Sequence, residues 1–209
     1  MKGLLVVGGG GHGKVVADTA RATGRWDRVA FVDDRFPALD AVMGLAVLGR
    51  VDDAPSLLGA FPEAVVAIGH CRTRLRVMDR LVAQGFSLPV IVHPAAWVSP
   101  AATLGEGTVV FAQAAINACA RLGRGCIANT GSSIDHDCAL GDGVHVCPGA
   151  RLAGEVTVGD ASWLGIGCSV IQRVRIGADV TLGAGAAVVR EIPDGVTAVG
   201  VPARVHRRT

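Results

Sequence analysis

A chain of 209 residues is long enough to bury a real core, as one large domain or two small ones. Half of it is apolar, aromatics are scarce, Tyr is absent and 29 residues are Gly without a period of three, which excludes a collagen-like helix and assigns the glycines to turns. A net charge of +2 is too mild to argue for nucleic acid, and no run approaches the roughly 18 apolar residues of a membrane helix.

The chain opens MKGLLVVGGGGHG. Its apolar run is short and passes straight into a glycine turn without a small-residue cleavage site, so no secretory signal is expected. Residues 4–7 predict a strand, 12–23 an amphipathic helix, and 29–32 a second strand ending at Asp33 and Asp34. A third strand over 64–68 ends at Gly69 and His70. A helix over 72–84 and a strand over 88–92 follow. Strands alternating with helices predict a small parallel sheet, a half-Rossmann-like α/β domain over residues 1–93. The run Gly8 to Gly13 contains G-x-G-x-x-G between strand and helix, with Asp33 twenty residues beyond its last glycine. That arrangement offers backbone N–H groups and a helix N-terminus to a phosphate, and a carboxylate to a ribose or base. NAD is the first guess from the motif. About 93 residues cannot hold two mononucleotide-binding halves, so one nucleotide or nucleotide-sugar suits the domain better. A tight turn that binds nothing is the plain alternative.

Residues 94–209 obey another rule. From Val98 to Val188 every sixth residue is apolar, sixteen positions in one unbroken phase, with only Ala128 small. Superimposed on this, Leu104, Leu122, Leu140, Val158 and Ile176 recur every eighteen residues, each followed by Gly, and Gly131, Gly149, Gly167 and Gly185 form a second file. Six residues per edge and eighteen per turn describe a three-sided parallel β-helix whose inward residues stack coil on coil.

One segment interrupts the plain repeat: Asn129 to Asp137 is polar and ends on His136 beside Asp137. A scaffold does not need such a cluster, so it points to function, with His136 as a general base oriented by the carboxylate. A solvated turn histidine is the bland alternative. His145 follows nine residues later. No third histidine lies between Val98 and Val188, so metal is not expected. Six cysteines include no C-x-x-C pair, which argues against a zinc ribbon and for reduced thiols in a cytoplasmic protein. Cys138 and Cys147 flank the two histidines, but read as small buried hydrophobes rather than nucleophiles.

The segments VVGGGGHG, FVDD and NTGSSIDHDC, the hexapeptide repeat and the ending GVPAR resemble the sialic-acid O-acetyltransferase (NeuD) family, and within it the bacterial nucleotide-amino-sugar N-acetyltransferases. The resemblance implies a left-handed β-helix, acetyl-CoA as co-substrate without a metal, and a homotrimer with active sites between subunits. It implies His136 as catalytic base and Asp137 as the acid that raises its basicity. It also implies His145, Gly154, Ile166, Ala184 and Arg204 along the acetyl-CoA groove. Ala184 stands where some members have Gly, and Asp137 where some have Glu. Gly10, Gly11, His12, Asp33, Asp34, Gly69 and His70 match positions that hold the nucleotide-sugar; some members have Asn at the position of His70. The expected activity is acetyl transfer from acetyl-CoA to the amine of a nucleotide-linked amino sugar in bacterial surface-glycan or O-antigen synthesis. O-acetylation of a sialic-type sugar and a non-catalytic trimeric scaffold that binds the nucleotide-sugar are the alternatives.

Overall fold

The computed structural model describes residues 2–208, and the chain divides into two compact units, Met1–Pro94 and Ala95–Thr209. In the first unit, β1 (Gly3–Val7) is followed by α1 (Gly11–Ala22) and β2 (Arg28–Val32). A small hairpin, β3 (Ala41–Val42) with β4 (Leu45–Ala46), precedes β5 (Glu63–Val66) and α2 (Cys71–Ala83). A 3-10 turn over Val51–Leu57 lies between hairpin and β5; neither feature was anticipated from periodicity, because both are too short to show one. The sheet has three parallel strands in the order β2-β1-β5. β1 is central and buried along its whole length, which explains why it reads GLLVV without alternation. Its Gly3 is required by packing, since a Cβ there would overlap the Ala60 carbonyl, and Gly13 in α1 likewise: a Cβ there would overlap the carbonyl of Gly8, so the helix can lie against the strand end only without a side chain. The strand expected over 88–92 is two residues long, Ile91–Val92.

The second unit is a parallel β-helix built from two-residue strands. Its first face stacks six of them, from Trp97–Val98 through Ser133–Ile134 to Ala187–Val188, and its second face five, from Thr103–Leu104 to Arg175–Ile176. The third face includes Val109–Val110, Ile127–Ala128, His145–Val146, Trp163–Leu164 and Thr181–Leu182, then Val196–Val199 and the antiparallel Arg204–Arg208. Registers advance by eighteen residues, Ile116 on Ile134 on Leu152 on Val170. The sixfold anchors point inward and are buried from Val110 to Val188; Val98 and Leu104, at the open first coil, are half-buried.

The two glycine files have different causes. Gly131, Gly149, Gly167 and Gly185 adopt left-handed backbone, φ 63 to 67°. The file after the Leu and Val anchors (Gly105, Gly123, Gly141, Gly159, Gly177) does not. There a Cβ would overlap the next coil's backbone or its Asp side chain, so close stacking, not unusual φ, excludes side chains. Assigning the glycines to turns is thus corrected for this file, whose cause is coil-to-coil clearance.

Candidate active site

The three strands of the small sheet run parallel, so the segments after them emerge at one edge, where open α/β sheets bind ligands. Gly10, Gly11 and His12 follow β1, Asp33 and Asp34 follow β2, and Gly69 and His70 follow β5. All seven expected substrate residues therefore converge at that edge. Gly10 caps α1 with ordinary extended backbone, φ −78°, without a side-chain hydrogen bond, and the first turn carries no acid. A Cβ on Gly10 or Gly11 would meet nothing within 4 Å. Neither glycine is demanded by the protein's own packing, and together they leave the helix N-terminus open to an anion.

The other members of this edge differ from expectation in instructive ways. Both oxygens of Asp33 are engaged: Oδ2 accepts from the Gly9 N–H at 2.7 Å and Arg35 Nη2 at 2.9 Å, and Oδ1 from Arg35 N at 3.0 Å and Nε at 2.7 Å. Four donors saturate a carboxylate, and the Arg35 bonds first of all hold its pKa far below the usual range. Asp33 thus fixes the glycine loop and Arg35 rather than standing free as a ribose acceptor. Asp34 accepts from Val51 N–H at 3.1 Å. His70 caps α2, its Nδ1 accepting from Thr73 N–H at 3.3 Å. The His12 ring is largely desolvated, and burial, followed by the charge of Arg74, lowers its pKa to about 4, so it is a neutral imidazole at pH 7. Arg74, buried to 1% exposure on α2, donates Nη1 to the carbonyls of Ile68 and Gly69, both at 2.8 Å. Sequence reasoning missed it, because an Arg in an amphipathic helix reads as surface.

In the β-helix, His136 lies at the corner between the first and second faces. Its Nδ1 is 2.9 Å from Asp137 Oδ2. The ring is exposed, and the Asp137 hydrogen bond, with smaller contributions from Asp135, Asp137 and Glu155 charges, raises its pKa above the usual 6.5. Asp135 was not singled out from sequence. Its Oδ1 accepts both the His136 N–H at 2.8 Å and Asn117 Nδ2 at 3.0 Å, tying the His136 backbone to the coil before it. Gly154 stands one coil beyond, where a Cβ would overlap the His136 ring at Nε2 and Cε1. Its nearest neighbour is the histidine ring itself. Cys119, Asp137, Glu155 and Arg173 follow one another at this corner with φ 58 to 62°, a conformation that costs an ordinary residue about 1–2 kcal/mol. Glycine fills such positions at most coils of the other two corners. Retained side chains in strained backbone mark this corner as a place where side chains matter.

The expected cofactor residues separate. Ile166 and Ala184, both exposed, stack one coil apart at the corner between the third and first faces, with Gly185 N–H donating to Ile166 O at 2.8 Å. His145 lies on the third face, buried to 4% exposure, its Nε2 3.0 Å from Asn129 Nδ2 and its ring against Trp163. Arg204 is exposed in the last strand, one Nη1 hydrogen bonding Ala203 O at 3.0 Å. A single chain therefore brings Gly154, but not Ile166 or Ala184, to His136. Cys138 is fully buried, donates to Ala153 O, and burial first of all raises its pKa, as fits a core thiol. None of the six cysteines is in a disulfide. Among the described residues, no three His, Cys, Asp or Glu side chains are placed to hold a metal ion, and no helix is long and apolar enough to cross a membrane.

Residues 3–81 match the PglD N-terminal domain model. The acetyltransferase domain of PglB from Neisseria gonorrhoeae, solved with acetyl coenzyme A, is 43% identical, with a TM-score of 0.94 over 97% of this chain and 98% of that one. PerB from Caulobacter crescentus, solved with CoA and GDP-perosamine, is 45% identical, with a TM-score of 0.93 over 98% and 97% of the two chains. The chain belongs to the sugar N-acetyltransferase family. The UDP-N-acetylbacillosamine N-acetyltransferase of Bacillus subtilis is a further relative, 39% identical over 114 residues, so that the match spans about half of each protein, 54% of this chain and 52% of that one. These relatives place the chain on the N-acetyltransferase side of the resemblance drawn above, and the sialic-acid O-acetyltransferase name is its looser part.

Proposed function

We propose that this protein transfers acetyl from acetyl-CoA to the amine of a nucleotide-linked amino sugar, with His136 as general base. The observation that carries the reading is the His136–Asp137 pair held against Gly154 at a strained corner of the β-helix. With Nδ1–H donated to Asp137, Nε2 carries the lone pair, and the absent side chain of Gly154 leaves that nitrogen room. The neutral amine attacks the thioester carbonyl, Nε2 takes the proton from the attacking nitrogen, and CoA thiolate leaves. A backbone N–H at a corner glycine would stabilise the oxyanion, and holding both substrates together would supply much of the acceleration. The relatives from Neisseria gonorrhoeae and Caulobacter crescentus were solved with acetyl coenzyme A and with CoA and GDP-perosamine, which supports the same pair of substrate classes here.

The acceptor's nucleotide end would sit on Gly10, Gly11 and His12, where the helix N-terminus is open. Asp34, Gly69 and His70 border it, and Asp33 acts from behind by fixing the loop. Ile166, Ala184 and Arg204 would hold the pantetheine arm and a CoA phosphate, with His145 supporting that surface from within.

The separation of these residues favours a homotrimer. The His136 corner and the Ile166 corner border the same first face, whose outward residues include the small Ala115, Ser133, Ser169 and Ala187. Packing that face around a threefold axis sets one copy's base beside the next copy's cofactor corner. Six cysteines outside any disulfide suit a reducing cytoplasm.

The test is acetyl-CoA consumption, read as free CoASH, across UDP-, GDP- and dTDP-linked amino sugars and sialic acid. Saturable turnover with one nucleotide-amino sugar is expected. Turnover with sialic acid alone would replace the reading with O-acetylation, and absence of acetyl-CoA binding would leave a scaffold.

A further inference from the structure

Arg74 belongs to no expected site, yet it is the largest fully buried side chain of the described residues. A guanidinium is costly to bury, so its position asks for a reason. Two features give one. Its Nη1 donates to both Ile68 O and Gly69 O at 2.8 Å, the two carbonyls just before the His70 N-cap of α2, in the segment that follows β5. Its charge also acts on His12, which belongs to the first turn of α1, a different element at the same edge. One side chain therefore holds the segment after β5 by hydrogen bonds and acts on the segment after β1 through its charge.

We infer that Arg74 is a positioning residue for the nucleotide end of the acceptor, fixing the Ile68–Gly69 turn and acting on His12 through space. The inference rests on the acceptor reading above. The chemistry that it serves is recognition of a nucleoside diphosphate group. A buried cation adds positive potential under an edge that already presents the open N-terminus of α1. It also disfavours a proton on His12, so that the imidazole meets the diphosphate or its ribose as a neutral hydrogen-bonding group. The Arg fork matters as much as the charge, because one Nη1 group serves two successive carbonyls; a Lys ammonium in the same space is a point charge without that fixed fork geometry.

These properties separate in experiment. Binding of UDP, GDP and dTDP, and separately of acetyl-CoA, is measured by calorimetry for the full chain, Arg74→Lys and Arg74→Met, with the His12 ring titrated by NMR in each. In the wild type, the diphosphate that binds is expected to shift the His12 ring signals while acetyl-CoA leaves them in place. Arg74→Met is expected to weaken that diphosphate at least tenfold, to leave acetyl-CoA affinity within twofold, and to move the His12 pKa upward from about 4. Arg74→Lys is expected to keep the low His12 pKa but to recover only part of the affinity. A folded variant of either kind that binds the diphosphate as the wild type does overturns the inference. So does an equal loss of both ligands in Arg74→Lys, since that is what a merely structural role gives. Wild-type protein that binds acetyl-CoA but no nucleoside diphosphate overturns the acceptor reading itself, a result distinguishable from the first two.

Discussion

At His136 the decisive fact is which ring nitrogen is occupied. Asp137 takes Nδ1, so the remaining nitrogen, beside Gly154, is the one that can receive a proton. The same carboxylate stabilises the imidazolium and raises the pKa, first through its hydrogen bond. Only the neutral ring is a base, so activity should rise with pH through a pKa above 6.5. Asp137→Asn removes the charge that favours the proton, so the rise should move to lower pH while the maximal rate falls. A kcat profile of the two proteins checks both, and an unmoved profile would remove Asp137 from the account. The pair and its polar setting were legible in sequence, because polar residues stand out against a regular repeat. The Asp135 bonds and the Gly154 contact were not, since each joins a residue to a neighbouring coil and depends on how the corners stack.

At the scale of elements, the β-helix announced itself through a period that no strand propensity blurs: each two-residue strand is too short to recognise alone, yet each contributes one anchor at a fixed interval. What the pattern left undecided was why each glycine is there. The answer comes from three dimensions, because left-handed φ and coil-to-coil clearance look alike as letters. The glycines of the first turn of α1 show the same division. Gly13 lies against the Gly8 carbonyl, whereas Gly11 faces open space. Gly13→Ala should therefore destabilise the fold by about 1–3 kcal/mol, the usual cost of overpacking, measurable by denaturant titration. Gly11→Ala should leave stability unchanged or slightly raised, as Ala suits a helix better, but weaken nucleotide-sugar binding several-fold. Equal stability losses in both variants would refute the distinction. The bonds of Asp33 were not legible for a related reason: spacing places a carboxylate near a ribose, but does not show that Arg35, two residues on, also binds it.

At the scale of the whole molecule, two units of different grammar share one chain, and the change of period near residue 93 is visible because strand–helix alternation gives way to sixfold anchors. In the proposed trimer the site is divided between two corners on neighbouring copies, and sequence carries no record of such symmetry. The division itself makes a prediction. His136→Ala and Ile166→Arg should each be inactive alone, yet unfolding and refolding them together should recover a substantial part of wild-type turnover, because mixed trimers contain interfaces with an intact His136 and an intact Ile166. Failure to complement, with trimers present in solution, would place the whole site within one copy. The central claim is nearer the chemistry. It is tested most directly by kcat of the wild type and of His136→Ala, at saturating acetyl-CoA and saturating nucleotide-amino sugar. A fall of about 10²-fold or more, with acetyl-CoA binding intact, is what general-base catalysis by His136 predicts. A variant that keeps near wild-type kcat under those conditions would contradict it.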